Sequence, residues 1–369
     1  MRKIYTGVAA IACLSFGYSV AALAQSPLAT GFWQQPNLLG DMAGLRPALT
    51  GHGITFNLTD TEDLIGNISG GVKQGATLQG LATADMQIDT GKALGLAGGT
   101  FNISALQIHG RSLSPYYLND LQTASGIEAP DSTRLWELWY DQSFPGCAFD
   151  VKLGQQSIDQ EFIISKYSSL FINTMAGWPL LPSVDLYDGG PVYPLSSLGA
   201  RLQAKPTGNV VFLAGVFDDN PPGGSFANDP VSKDSGGLKF NLNTGALFIS
   251  EVQITVNPLN GLPGTYKLGI LYDTGAFVDQ AFDNKGVSLA ATTSDGEAAI
   301  HHGNDNLYFV ADQTIWQPKG SDRSLNLFIR AMTAPADQNL ADLFINGGLT
   351  LTTPLHGRDN DSAGIYIGY

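Results

Sequence analysis

The feature that most restricts this chain is a period of two. From Thr77 to Asp89 the odd positions are polar (Thr77, Gln79, Thr83, Asp85, Gln87, Asp89) and the even ones apolar or glycine (Leu78, Gly80, Ala82, Ala84, Met86, Ile88), with Leu81 the one exception. Such alternation puts one kind of side chain on each face of a β-strand. Ile54, Phe56 and Leu58 alternate in the same way with Thr55, Asn57 and Thr59, and Leu238, Phe240 and Leu242 with Lys239, Asn241 and Asn243. Phe248, Val252, Ile254 and Val256 share a face, as do Tyr266, Leu268, Ile270 and Tyr272, and Leu325, Leu327, Ile329 and Ala331. Turns are expected at Pro221-Pro222-Gly223-Gly224, Asn243-Thr244-Gly245 and Asn257-Pro258.

A sandwich, a soluble barrel and a transmembrane barrel share this pattern, and length separates them. Sandwich strands average about 5–6 residues, whereas strands that cross a bilayer need about 9–11. Several runs here are of the longer kind, and tyrosines such as Tyr266 and Tyr272 stand near the ends of apolar faces, as in an interfacial girdle. Only 14% of residues are charged while 43% are hydrophobic, against about 25% charged in an ordinary soluble protein. Many apolar side chains must therefore face something other than a core. Beyond residue 24 there is no apolar run of the about 18 residues that a spanning helix requires. In lipid a chain without such helices satisfies its backbone only as a closed barrel. The expected fold class is all-β, an antiparallel transmembrane β-barrel.

Residues 1–24 read as a secretory signal peptide. Arg2 and Lys3 precede an apolar stretch from Val8 to Leu23, and Ala22-Leu23-Ala24 is a small-x-small cleavage pattern, so cleavage is expected after Ala24. Residues 25–369 then form a single barrel domain. A lipoprotein reading at Cys13 fits poorly, because Ala10-Ile11-Ala12 lacks the usual leucine. Cys147 is left as the sole cysteine, which excludes an internal disulfide and a CxxC metal site. A net charge of −14 argues against nucleic acid as a partner. One segment breaks the two-residue period: 161–198 is long and proline-rich, and is expected to fold inward as a constriction or plug loop.

That segment and its flanks carry a family resemblance. Gly40-Asp41-Met42-Ala43-Gly44-Leu45-Arg46-Pro47 is followed by Gly51-His52-Gly53-Ile54 and Gly66-Asn67-Ile68-Ser69-Gly70-Gly71. Then come Gly154-Gln155-Gln156-Ser157-Ile158-Asp159-Gln160-Glu161-Phe162, Leu170-Phe171-Ile172-Asn173 and Gly177-Trp178-Pro179. Gly189-Gly190-Pro191-Val192-Tyr193-Pro194 and Gly199-Ala200-Arg201-Leu202 close the series. In order and spacing this resembles the carbohydrate-selective porin family (OprB type) of Gram-negative outer membranes. The resemblance implies a barrel of about 16 strands, or fewer here, in the outer membrane among lipid and lipopolysaccharide, as monomer or homo-oligomer. It further implies passive diffusion of mono- and small oligosaccharides such as glucose, with no cofactor and no metal. Two departures stand out. Met42 and Ala43 replace the family's tryptophan and glycine, and the family continues for several strands after a stretch like Leu355-His356-Gly357-Arg358-Asp359. Ala363, Ile365, Ile367 and Tyr369 nonetheless alternate and end on an aromatic, like a last barrel strand.

A diffusion pore needs polar groups that replace part of a solute's hydration. Asp159 and Glu161, two apart, would share a lumen face if they lay on a strand, with Lys166 following and Arg201 sharing its own face with Gln203 and Lys205. Asp159, Glu161, Lys166 and Arg201 are the expected eyelet residues, with Arg134 less securely placed beside Glu137 and Arg111, and with Trp178 as stacking platform or loop anchor. The competing reading has these charges pair across the wall and merely hold the inward loop. Other classes have little support. Glu137 with Asp141, or Asp159 with Glu161, could supply a glycosidase pair, and no G-x-S-x-G or HExxH exists; an outer-membrane barrel enzyme such as a lipid hydrolase stays an alternative, with Ser157 and Ser225 as the serines to test. His301-His302 reads as part of a solvated loop, Asp359 to Gly364 as half a calcium loop, and Asp218-Asp219 and Asp283 as charge on external loops. The remaining alternatives are a secreted all-β carbohydrate-binding protein and a truncated, non-conducting relic.

Overall fold

A computed structural model describes residues 37–144, 148–224, 229–355 and 357–369. The signal-peptide reading, Cys147 and Ser225 lie outside the described residues. Thirteen strands form one sheet: β1 (Ile54–Asn67), β2 (Gly75–Asp89), β3 (Gly99–Gly110), β4 (Ser132–Ser143), β5 (Phe149–Gln156), β6 (Ser197–Thr207) and β7 (Val210–Asp218). They continue as β8 (Ala246–Leu259), β9 (Leu262–Asp283), β10 (Ala298–Trp316), β11 (Ser324–Thr333), β12 (Leu343–Thr352) and β13 (Ser362–Gly368). Each strand pairs antiparallel with its chain neighbour, so the order is β1 to β13 without a crossover, and among the described residues β1 and β13 are the edges.

Register shows what the alternation is for. One row of directly opposed residues runs Phe149–Ala204–Phe212–Val252–Leu268–Phe309–Ala331–Ile345, from β5 to β12, and every member is apolar. Its large side chains point outward and stay open, Leu268 at 56% exposure. The row one residue along, Asp150–Gln203–Leu213–Glu251–Gly269–Tyr308–Met332–Phe344, points inward, and most of its members are buried. A continuous apolar exterior over a mixed interior is the wall of a transmembrane barrel. Gly269 has a packing reason: a Cβ there would occupy the space of the Tyr308 ring, whose hydroxyl donates to Glu251 Oε2 at 3.0 Å.

The two ends differ. The links 68–74, 111–131, 157–196, 219–245, 284–297 and 334–342 lie at one end, 90–98, 144–148, 208–209, 260–261, 317–323 and 353–361 at the other, and the longest four all belong to the first end. Long external loops and short periplasmic turns give outer-membrane barrels this asymmetry. β9 and β10 outrun their neighbours and project beyond β8 on the long-link side.

Several expectations are corrected. Leu238, Phe240 and Leu242 are not in a strand, because the Asp234 carboxylate takes the backbone N–H groups of Leu238 and Lys239 that a ladder would need. Asn257-Pro258 lies within β8 at a bulge; the turn is Asn260-Gly261, both at positive φ (50° and 80°), as a tight hairpin requires. His301 and His302 lie on β10, where His301 Nε2 is 2.9 Å from Asp279 Oδ2. Asp218, Asp219 and Asp283 are buried, not solvated.

The outer row yields a test. Leu268→Arg should lower stability in lipid vesicles by about 2–4 kcal/mol, as for a cation at the bilayer midplane. Asn57→Arg, on the inward, solvated face of β1, should leave it nearly unchanged in the same urea titration.

Candidate functional site

Alternation on three adjacent strands brings one set of polar side chains to the lumen. β4 contributes Glu137, Trp139 and Asp141, β5 Asp150 and Lys152, and β6 Arg201 and Gln203. The 157–196 link enters the lumen and adds Glu161, so the expected inward loop is present. Arg201, 4% exposed, is the hub: its Nε is 2.6 Å from Glu161 Oε2, and its Nη2 is 3.1 Å from Glu161 Oε1 and 3.3 Å from Asp141 Oδ2. Its Nη1 donates to Asp150, which also accepts from Gln203 Nε2 at 2.6 Å. Lys152 pairs with Glu161 and stands 4.4 Å from the centre of the Trp139 ring, whose Nε1 donates to Glu137 Oε2 at 3.2 Å. Burial would raise the Glu161 carboxyl, but Lys152 and Arg201 together hold it below the usual carboxylate range. The result is a fixed array of charge beside a half-buried aromatic face, able to offer donors and acceptors to a hydroxylated solute.

The opposite wall carries the rest of the inward segment. Asp312 accepts from Ser165 Oγ (2.6 Å) and Lys166 N (2.8 Å), and Glu251 from Ile163 N (2.9 Å). The buried Arg330 donates to the carbonyls of Met175 and Gly177, with Gly177 at 2.6 Å. Phe162, Ile163, Trp178, Leu181 and Leu186 pack with Leu213, Leu247, Leu271 and Phe344 of the wall in one apolar cluster. A short helix, α1 (Leu180–Asp185), ends on Asp185, whose Oδ1 accepts from Ala341 N at 3.3 Å.

Of the six expected site residues, the structure brings Glu161 and Arg201 together. The strand reading of Asp159 and Glu161 is corrected: β5 ends at Gln156 and Ile158–Gln160 form a 3₁₀ turn. Asp159 is turned back to accept from Ser157 Oγ (2.6 Å) and Tyr193 N (3.3 Å), and burial raises its carboxyl. Trp178 is buried in the apolar cluster, while its carbonyl accepts from Gln122 at 3.0 Å. Lys166 is exposed, 5.5 Å from the Tyr167 ring centre. Arg134 is buried on β4 apart from the Arg201 set, and Arg111 stacks on Tyr116. Trp139, Asp141, Asp150 and Lys152 were not singled out for the eyelet, although the spacing 137, 139, 141 on an alternating strand carries the signal. Among the described residues one His/carboxylate group converges tightly, Asp60, Glu62 and His109, and it lies on the outer wall, away from this site.

A transmembrane barrel with a charged lumen and an inward-folded segment defines the class, a porin. The sequence model of the carbohydrate-selective porin, OprB family, matches residues 73–369, and the chain belongs to that family. Porin B of Pseudomonas aeruginosa is 25% identical over 347 residues, covering 89% of this chain and 72% of that protein. The putative porin QuiX of Acinetobacter baylyi is 25% identical over 269 residues, 68% of this chain and 58% of that one. The high-pH structure of Pseudomonas putida OprB superimposes with a TM-score of 0.77 at 23% identity, over 90% of this chain and 79% of that one. Its low-pH structure gives 0.56 at 18% identity, over 89% and 81%. These structures share the fold.

Burial pushes the Asp185 carboxyl up to about 7. The docked state therefore keeps a proton that the undocked group releases near its ordinary value of about 3.9. Docking of α1 is strongest below that value, weakens as pH rises toward 7, and is weakest above. The thermal midpoint of the wild type should fall across this window by more than that of Asp185→Asn.

Proposed function

We propose that this chain is an outer-membrane porin through which mono- and small oligosaccharides such as glucose diffuse down their gradient. It reaches the membrane by an N-terminal signal cleaved after Ala24, and its apolar exterior meets lipid and lipopolysaccharide. The observation that carries this reading is the meeting of Glu161, on the inward segment, with Arg201 and Lys152 on the wall beside Trp139. In the eyelet, Glu161, Asp141 and Arg201 exchange hydrogen bonds with sugar hydroxyls that have shed water. Trp139 presents a ring face to the apolar face of a pyranose, and Asp159 and Trp178 hold the segment in place. Charges locked in mutual pairs offer fixed donors and acceptors without binding any solute so tightly that it cannot leave. No energy coupling and no catalytic group is needed.

In proteoliposomes, Trp139→Ala should slow glucose-driven swelling about fivefold, the worth of about 1 kcal/mol. Glu161→Gln should change single-channel conductance and ion preference while the barrel keeps its migration shift between boiled and unboiled gel samples. Wild-type selectivity in both variants would remove this eyelet, and absence of the migration shift in the wild type would remove the pore.

A further inference from the structure

The apolar row that runs from β5 to β12 has no counterpart on the outer wall of β1 to β4. There the opposed residues run Leu58–Ala84–Ala105–Leu135, then Asp60–Ala82–Gln107–Thr133, then Glu62–Gly80–His109. The second and third rows are polar at both ends and small in the middle. Asp60 and Glu62 are the seventh and ninth residues of β1, and Leu58 and Leu64 on either side of them are 74% and 80% exposed. The polar rows therefore lie at the depth where the rest of the wall meets hydrocarbon. His109 Nε2 stands 2.8 Å from Glu62 Oε1, and a Cβ on Gly80 would collide with both atoms, so glycine lets the pair close across β2. Asp60 brings a second carboxylate within 4.8 Å of them. Among the described residues no lysine or arginine joins this group.

A carboxylate facing lipid is costly, and ionisable groups at membrane depth turn to a cavity or to a protein partner. This group faces away from the lumen, and its layout says which partner fits. Acceptors stand on β1 (Asp60 and Glu62), and donors on β3 and β4 (Gln107, His109 and Thr133). A two-fold axis along the membrane normal, beside β2, lays β1 of one copy against β3 and β4 of the other, and so sets acceptors against donors on both sides of the axis. Between them Gly80, Ala82, Ala84 and Ala105 keep the wall flat, as close approach of two membrane proteins requires. We propose that the outer wall of β1 to β4 is the docking surface for a second copy of this chain, with Asp60 and Glu62 of each copy facing Gln107, His109 and Thr133 of the other. Hydrocarbon cannot supply these donors, whereas a pair of barrels can. The interface lies outside the lumen and stands whatever solute passes.

The test uses the full chain in lipid vesicles. Ala82→Cys in a Cys147→Ser background puts a thiol beside the axis, and a short bis-maleimide should link it to its counterpart, giving a band of twice the chain mass. Ala105→Cys serves if that variant does not fold. Phe212→Cys, on the outward row of β7, should stay unlinked. Counting photobleaching steps with one dye per chain should show pairs for the wild type. Asp60→Ala should raise the chain density needed for pairing on the order of tenfold, the factor that corresponds to about 1.4 kcal/mol. Ala84→Trp, which fills the flat wall, should bleach in single steps while keeping the migration shift on boiling and the wild-type single-channel conductance, so loss of pairing is separable from loss of the pore. Single steps for the wild type, or equal linking of Ala82→Cys and Phe212→Cys, would overturn the proposal. So would a link to a protein other than this chain, or a lone chain that binds Zn²⁺ through Asp60, Glu62 and His109, since each gives the wall another occupant.

Discussion

Lipid offers no hydrogen bonds, and that single constraint organises this molecule. Each backbone N–H and C=O at membrane depth must find its partner in the sheet, so the ladder runs neighbour to neighbour without a crossover from β1 to β13. Irregular backbone survives at that depth only on the concave side. There the 157–196 link finds donors and acceptors on the wall: Asp312 and Glu251 for its N–H groups, Arg330 for its carbonyls. Inward alternation supplies both the charged array around Arg201 and the sockets that receive the segment.

The fold was largely legible because period two is a local property that lipid makes global. Phe248, Val252, Ile254 and Val256 occupy the outer wall as their spacing required, because alternation points them away from the lumen, where the inward segment and its apolar cluster lie. Where the reading failed, a side chain or a bulge had captured the backbone. Asp234 withdraws Leu238 and Lys239 from the ladder despite their alternation. An irregularity between Val256 and Leu259 lets β8 run through Pro258 to a turn that Asn260 and Gly261 make instead. The buried state of Asp218 and Asp219 was invisible in sequence, because three separate pieces of chain create it.

The candidate site was half legible for a related reason. Arg201 sits on a strand whose alternation fixes its direction, so its inward position could be inferred from position alone. Asp159 and Glu161 follow a strand end, where the two-residue rule lapses and a 3₁₀ turn sends one carboxyl toward Ser157 and the other toward Arg201. Trp139 alternates on β4, so its inward direction is readable from position, while its meeting with Lys152 is not, because that side chain comes from the neighbouring strand. Trp178 lies in that segment, buried in the apolar cluster.

The inward segment also fixes an order of events. It joins β5 to β6, which pair directly with each other, yet its residues are gripped by strands as distant as β12 in the chain, through Asn346 and Met175. The hairpin can therefore form before its connection has anywhere to sit. The connection gains its sockets only as β8 to β12 are added, and it must already lie on the concave side when the wall curls past it. A segment left outside would confront hydrocarbon with unpaired amides, and a finished wall would leave it no way in. The segment belongs to the β5–β6 connection but its sockets belong to β8 to β12, so the loop and the far wall are completed by each other.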